Sequence, residues 1–398
     1  MDDPSETTLI TSSAQLEELI EHIRSLGRFA FDTEFVSEES FEPVLCLVQV
    51  ATSDRLAAID TMVLRDFGPF WDVVNDPDVE VVMHAAGEDL RICKFQTGRV
   101  PESVFDVQIA AGLVGFGYPL SLGNVVGQIL QTTVFGGETR TDWRRRPLSP
   151  SQLRYAMDDV RYLLPVADRL RARLEELGRA AWADAEFAAF RSTVVNRDDE
   201  ERWRRLSGLH QLNRRGLEVA RRLFEWRLDD ARRQNRPMRQ VLRDDLLVAI
   251  AKRQPTTRAE IEALREFNRP HLLSKSQEIL AAVRDALAVP PDQLPEAADR
   301  HEDGPGLTMI VNLLAAAMAN SCAQSKVASA LFGTTGDLKD LVRWLIQGRA
   351  QDHRPSLACG WRGEVCGEIL LDVLAGKRTL RVTDPEADLP VAVEKHPG

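Results

Sequence analysis

The 398-residue chain is 44% hydrophobic and 28% charged, the balance of a globular protein long enough for two or three domains. Its five scattered cysteines include no CxxC, which argues against a disulfide framework or a zinc knuckle. The acidic, polar start MDDPSETTLI does not read as a signal or transit peptide, and the longest apolar run, near 313–318, is too short to span a bilayer. A soluble, reducing, cytoplasmic setting without a membrane is therefore expected. The net charge of −11 is unevenly spread: residues 1–200 carry 19 Lys/Arg against 34 Asp/Glu, residues 201–270 carry 18 against 10, and residues 271–398 carry 13 against 17. A basic island behind an acidic half suits a polyanion-binding module, although solvated Arg-rich helix faces would read the same way.

In chain order, the apolar positions Leu16, Leu19, Ile20 and Ile23 predict a helix over 13–26. Strands are predicted at 29–35, 45–52, 56–59 and 79–84. Helical periodicity then covers 88–95, 107–113, 122–130 and 151–177, which makes an α/β sheet with helices on its faces. After Glu200 the strand signals stop. Helices are expected at 214–235, 238–252, 257–266 and 274–287, punctuated by Pro237, Pro255 and Pro270. The Pro-, Gly- and acid-rich stretch 291–306 reads as a linker. A second helical group follows at 307–319, 325–331, 337–347 and 362–374, and the tail 384–398 is expected to be disordered.

Residues 31–35, FDTEF, place two carboxylates inside an apolar strand. Positions i and i+2 of a strand face the same way, so Asp32 and Glu34 project together. Carboxylates that close repel, and one takes up a proton unless a cation lies between them. Oxygen-only donors favour Mg²⁺ or Mn²⁺ over zinc. A strand end where both acids reach water would also satisfy this stretch alone. In VEVVMHAAGEDL (79–90) a strand, a small-residue turn and a helix start place Asp89 in a first helical turn, at the sheet edge where open α/β folds keep their sites. An acid against the helix dipole is the plainer reading there. In SPSQLRYAMDDV (149–160), Ser149 and Gln152 form a capping box and Pro150 takes the first helical position. Tyr155 and Asp159 then share a face, with Asp158 turned about 100° away.

Taken together these segments read D-x-E, a later Asp, then Y-x-x-x-D. The sequence resembles the DEDD exonuclease superfamily in its tyrosine-bearing subgroup and looks most like the ribonuclease D family. FDTEFVSEESFEPVLCLVQVA, HAAGEDLRIC, FDVQIAAGLVG and TDWRRRPLSPSQLRYAMDDVRYLLP stand in that family's order and spacing. Residues 210–290 resemble its helical HRDC domain, and SLACGWRGEVCGEIL (356–370) the end of a second, divergent one. The resemblance implies an α/β ribonuclease H-like exonuclease domain over 1–200, a mixed sheet flanked by helices. Two all-α HRDC-like bundles would follow at 208–290 and 307–380. It implies 3′→5′ phosphodiester hydrolysis with two divalent metals per site, Mg²⁺ or Mn²⁺, releasing nucleoside 5′-monophosphates. Asp32 would bridge the metals, and Glu34 and Asp159 would complete the site of the water-activating one. Asp89 would hold the second, and Tyr155 would orient the attacking water.

Candidate RNA contacts are less distinctive. The Arg144-Arg145-Arg146 run precedes the catalytic helix, and Arg214, Arg215 and Arg221, with Arg232, Arg233 and Arg239, lie in the basic island. Phe35 and Phe41 could stack on terminal bases, though core packing is commoner. His84 ends a strand beside the site, where a supporting or core role is more usual than ligation. Many family members have Tyr-Tyr where this chain has Phe41-Glu42, a departure that bears on base or sugar contacts and leaves the metal ligands intact. The expected protein is a monomeric exoribonuclease trimming RNA 3′ ends, tRNA precursors above all. The alternatives are a DNA-directed 3′→5′ exonuclease, a nucleic-acid-binding scaffold that has lost catalysis, and a phosphodiesterase for small nucleotides.

Overall fold

The computed structural model describes residues 7–64, 66–134, 141–195, 200–296, 305–348 and 354–396. Six strands build one mixed sheet: β1 (Thr7–Ile10), β2 (Arg28–Val36), β3 (Val44–Ala51), β4 (Leu56–Ile59), β5 (Glu80–Met83) and β6 (Val104–Asp106). Their order is β1-β4-β3-β2-β5-β6. The central strand β2 runs antiparallel to β3 and parallel to β5. Alternation along RFAFDTEFV sends Phe29 and Phe31 into a core with α1 (Ser13–Leu26) and α2 (Gly68–Val74), and Ala30 into the core of the opposite face. The register shifts between Glu34 and Phe35, whose partners are Leu47 and Leu45, so Cys46 of β3 is an unpaired bulge residue.

Helix α3 (Gly87–Thr97) follows β5. Helices α4 (Val107–Leu113), α5 (Leu122–Leu130), α6 (Pro150–Arg161), α7 (Leu163–Glu176) and α8 (Ala180–Val195) complete the N-terminal domain. The Ser149–Gln152 capping box starts α6, which lies across β2, β3 and β4. Elements β1, α2 and β6 have no counterpart in the sequence expectation. Three or four residues are too few to show alternation, and α2 opens on Gly-Pro, which reads as a turn.

The first bundle holds α9 (Arg214–Gln234), α10 (Met238–Val241), α11 (Asp244–Arg253), α12 (Arg258–Glu262), α13 (Pro270–Leu273) and α14 (Ser276–Ala288). The single helix expected over 238–252 is two, because Leu242 is extended at φ −151° and Asp244 and Asp245 suit the first turn of a new helix. The bundle has its own core around Leu223, Leu247, Ile250 and Phe267. It meets the N-terminal domain at the loop after β2: Phe41 packs on that core, the Arg232 guanidinium lies 5.6 Å from the Phe41 ring centre, and Glu42 N donates to Asn235 Oδ1 at 3.0 Å.

The second bundle contains α15 (Pro305–Gln324), α16 (Ser329–Phe332), α17 (Thr335–Ile346) and a helical run over 360–374 with a π turn at Gly363–Gly367. Among the described residues it has no separate core: Leu314, Phe332, Leu341 and Leu370 belong to one cluster with Val107, Leu113, Leu170 and Phe187. Helix α8 is the seam. Trp182 stacks on Trp361 with ring centres 5.4 Å apart, and Glu186 accepts from Trp361 Nε1 at 2.7 Å and from the Arg362 guanidinium. Arg179 donates to the carbonyls of Leu113 (2.6 Å), Lys326 (3.0 Å) and Ser325. Gly367 permits the close chain crossing, since a Cβ there would lie 2.6 Å from the Leu357 carbonyl oxygen.

Three expectations are corrected or limited. By length and composition, α15 could cross a membrane; here Leu314, Ala317 and Cys322 sit in the shared core. Of the expected linker 291–306, Pro291–Gln293 form a 3₁₀ turn, residues 297–304 lie outside the described residues, and Pro305 already begins α15. The tail expected to be disordered instead forms a hairpin, β7 (Arg378–Val382) with β8 (Val391–Lys395), and β8 packs on α15. Its turn, TDPEADLP, carries the acid and proline that suggested disorder.

Candidate active site

Strand β2 and helix α6 meet face to face. Carboxylate oxygens of Asp32, Glu34 and Asp159 all lie within 4.8 Å of one another. Asp159 comes from the third turn of α6, and Tyr155, one turn earlier, hydrogen-bonds to it. The Tyr155 ring leans on Trp143, with centroids 6.1 Å apart. Asp89 approaches from the first turn of α3, is buried, and accepts from Thr33 Oγ1 at 2.5 Å.

Electrostatics set the chemistry of this cluster. Burial, then the Asp89, Asp159 and Glu34 carboxylates, push Asp32 well above the ordinary carboxylate range. Burial, with Asp159 and Asp89, raises Glu34 to about 8. Burial raises Asp159 to about 7 against the lowering hydrogen bond from Tyr155, and raises Asp89 to about 6 against the bond from Thr33. Among the described residues, no lysine or arginine is a leading counterweight to any of the four shifts. Four converging carboxylates with only oxygen donors fit a hard divalent cation, which would let all of them ionise.

Two supporting devices hold the cluster in place. Ala85 takes a left-handed backbone conformation, φ +55°, in the turn between β5 and α3. The buried Asp106 carboxylate accepts from the amides of Ala85 (3.3 Å) and Ala86 (2.9 Å) and caps α4 through Gln108 N (2.8 Å). That fixes the turn from which Asp89 is presented. On the α6 side, Arg146 donates to both oxygens of buried Asp60 (2.5 and 2.7 Å) and to the carbonyls of Trp143 and of the bulge residue Cys46. One guanidinium thus ties β3 and β4 to the loop carrying Trp143. Thr33, Asp106, Asp60 and Trp143 were not singled out from sequence. Of these only Asp106 carries a local signal, as an Asp directly before a helix.

The other sequence candidates are held in contacts of their own. Arg146 is committed to Asp60 rather than facing solvent, and Arg144 pairs with Asp142 and Glu39. Arg145 is exposed, 3.6 Å from Asp142. Arg214 and Arg215 donate to carbonyls at the end of the first bundle, and Arg221 pairs with Glu218 and Glu225. Arg233 pairs with Asp230 and Arg239 lies 3.6 Å from Asp244. His84 Nε2–H donates to the Leu120 carbonyl at 3.0 Å and burial lowers the imidazole pKa, so this ring braces the turn without offering that nitrogen to a metal. Phe35 packs partly against the core.

Residues 7–175 match the family described as 3′-5′ exonuclease, and residues 216–283 match the HRDC domain. Ribonuclease D of Cronobacter turicensis is 31% identical over 92% of this chain and 99% of its own length. Ribonuclease D of Gluconacetobacter diazotrophicus is 34% identical over 94% of each chain. The crystal structure of Escherichia coli RNase D, an exoribonuclease involved in structured RNA processing, superposes with a TM-score of 0.82 at 28% identity, covering 93% of this chain and 99% of that one. With the carboxylate cluster in place and similarity running the length of both partners, the chain belongs to the ribonuclease D family of 3′-5′ exoribonucleases.

Proposed function

We propose that this exoribonuclease trims the 3′ ends of structured RNA, tRNA precursors above all, releasing nucleoside 5′-monophosphates with two divalent cations, Mg²⁺ or Mn²⁺. The observation that carries the reading is the convergence of Asp32, Glu34, Asp89 and Asp159 with no lysine or arginine, among the described residues, as a leading counterweight. Asp32, Glu34 and Asp159 would hold one cation, and Asp89 with Asp32 the other. Bound there, the cations would supply charge stabilisation for the attacking and leaving oxygens of the phosphodiester. Tyr155 would hold the attacking water through its hydroxyl, and Asp159, its hydrogen-bond partner, would keep that hydroxyl oriented. Asp106 and Arg146 act behind these residues, holding the α3 turn and the loop before α6. The relative in Escherichia coli processes structured RNA, which supports that substrate class. We place the enzyme in the cytoplasm as a monomer acting on RNA.

The test is trimming of 5′-labelled and 3′-labelled tRNA bearing a short 3′ tail, in Mg²⁺, Mn²⁺ or EDTA, beside Asp32→Asn. Stepwise shortening of the 5′-labelled RNA with metal only, and release of the 3′ label as a mononucleotide, is expected. Equal or faster trimming of a matched DNA would replace the RNA assignment. RNA binding without shortening in either metal would leave a binding scaffold instead.

A further inference from the structure

Between α3 and the first bundle lies a cleft of about 750 Å³. It opens beside the catalytic cluster: Phe35 follows Glu34 in the chain, Glu88 precedes Asp89, and both line the cleft. Its near wall is the outer stripe of α3. Asp89, Leu90, Ile92 and Cys93 turn inward, so Glu88, Arg91, Lys94 and Phe95 are left on the outer side. Its far wall comes from the segment after α8 and from α9 to α11.

The chemistry of the lining is the reverse of the domain that supports it. Six cationic side chains face two carboxylates, Glu88 and Asp244. Both carboxylates are answered, Glu88 by Arg91 and Asp244 by Arg227. Arg239 also lies 3.6 Å from Asp244 and Arg202 has contacts of its own, which leaves Lys94, whose ammonium donates to the Val194 and Val195 carbonyls, and Arg205, exposed on the opposite wall. Between them Phe95 is 45% exposed. A bare phenyl ring flanked by cations in a groove suits a single strand, because every base has a face to stack and every phosphate a charge to meet.

We propose that this cleft binds the single-stranded RNA just upstream of the nucleotide being removed, with Phe95 stacking a base and Lys94 and Arg205 meeting the phosphates. The proposal rests on the exoribonuclease reading for the identity of the strand. It makes α3 two-sided: Asp89 serves the scissile end, and the same helix grips the strand several residues further along.

The test uses the full chain, as Phe95→Ala and as the double variant Lys94→Ala with Arg205→Ala. Two readouts are needed. Equilibrium binding of a 5′-fluorescent oligoadenylate in EDTA, over a salt series, reports the cleft without catalysis. Hydrolysis of the oligoadenylate and of the dinucleotide ApA in Mg²⁺ separates the cleft from the metal site, since ApA carries a single phosphate and offers none to Lys94 and Arg205 once that one is at the carboxylates. We expect Phe95→Ala to weaken oligoadenylate binding and raise its KM about tenfold. The double variant should lower the salt slope by about 1.4, at roughly 0.7 per phosphate contact. Turnover of ApA should match wild type in both variants, and the melting temperature should match it in Phe95→Ala; the double variant, which loses the Lys94 bonds to the Val194 and Val195 carbonyls, should melt slightly lower. Unchanged oligoadenylate affinity and salt slope in both variants would overturn the cleft assignment, as would an equal loss on ApA. If wild type binds oligoadenylate but cleaves neither RNA, the exoribonuclease reading fails, and weakened binding by the variants still upholds the cleft.

Discussion

Asp60 and Asp32 lie towards the same edge of one sheet, and their surroundings are opposite. Asp60 is buried against a two-pronged Arg146 guanidinium and also accepts from the Met62 amide at 3.0 Å. Asp32 is surrounded by three more carboxylates. The first arrangement is complete in the protein alone. The second is unfavourable until something outside the chain completes it. An uncompensated buried charge survives in a fold only where the surroundings over-determine it, and here the capping box, the Asp106 brace and the Arg146 tie do so.

The sharpest way to test this contrast is to neutralise one acid of the incomplete set. Asp32→Asn or Asp159→Asn should abolish RNA trimming, read on the labelled tRNA. The same change should leave the circular dichroism spectrum intact and raise the metal-free unfolding free energy by about 1 kcal/mol, since it removes a repelled charge. Wild-type rates from either variant would refute the site. The complete pair should respond in the opposite sense. Arg146→Ala strands Asp60 in the interior and should cost about 3–5 kcal/mol in urea unfolding; Asp60→Asn added to Arg146→Met should recover part of that.

A smaller effect follows from pH. A carboxyl with a raised folded pKa is neutral in both states below its ordinary value of about 4, so no penalty exists there. As pH climbs, the unfolded chain ionises first. Metal-free stability should therefore fall until Glu34 ionises near 8, by several degrees of Tm. Added Mg²⁺ or Mn²⁺ should flatten that slope, most visibly at the alkaline end; a metal-free protein whose Tm rises over this range would contradict the shifts. The smallest effect belongs to Thr33→Val. It removes one hydrogen bond to Asp89, worth about 1 kcal/mol, and should move the acid limb of the activity profile upward with little change in the plateau.

Local rules explain which parts of the site were legible. Strand alternation is enough to pair Asp32 with Glu34, and helix spacing is enough to pair Tyr155 with Asp159. The order of the segments then points to one family. What sequence does not carry is the partner of a long side chain. Arg144, Arg145 and Arg146 look alike in the chain, yet one reaches a buried Asp 86 residues away, one bridges Asp142 and the distant Glu39, and one is exposed. Lys94, Phe95 and Arg205 look unremarkable because two of them sit on α3 and the third over a hundred residues later; only the docking of the first bundle brings them together. The terminal hairpin was missed for a related reason. Its strands are five residues each, β8 packs on α15 and β7 on the end of the 360–374 helical run, and the turn between them has the composition of a disordered tail.

The shared core of the N-terminal domain and second bundle also sets where the chain can come apart. Cutting the chain between the bundles, as a domain map would suggest, removes the cover from Leu113, Phe187 and Trp182 and leaves Arg179 without two of its three carbonyl acceptors. The first bundle, with its own interior, can open without disturbing that seam. In hydrogen-exchange terms the elements that share this core, α4, α7 and α8 with α15 to α17, should open as one unit, and the first bundle as another. The boundary that matters for stability therefore runs around the first bundle, and not between the two bundles.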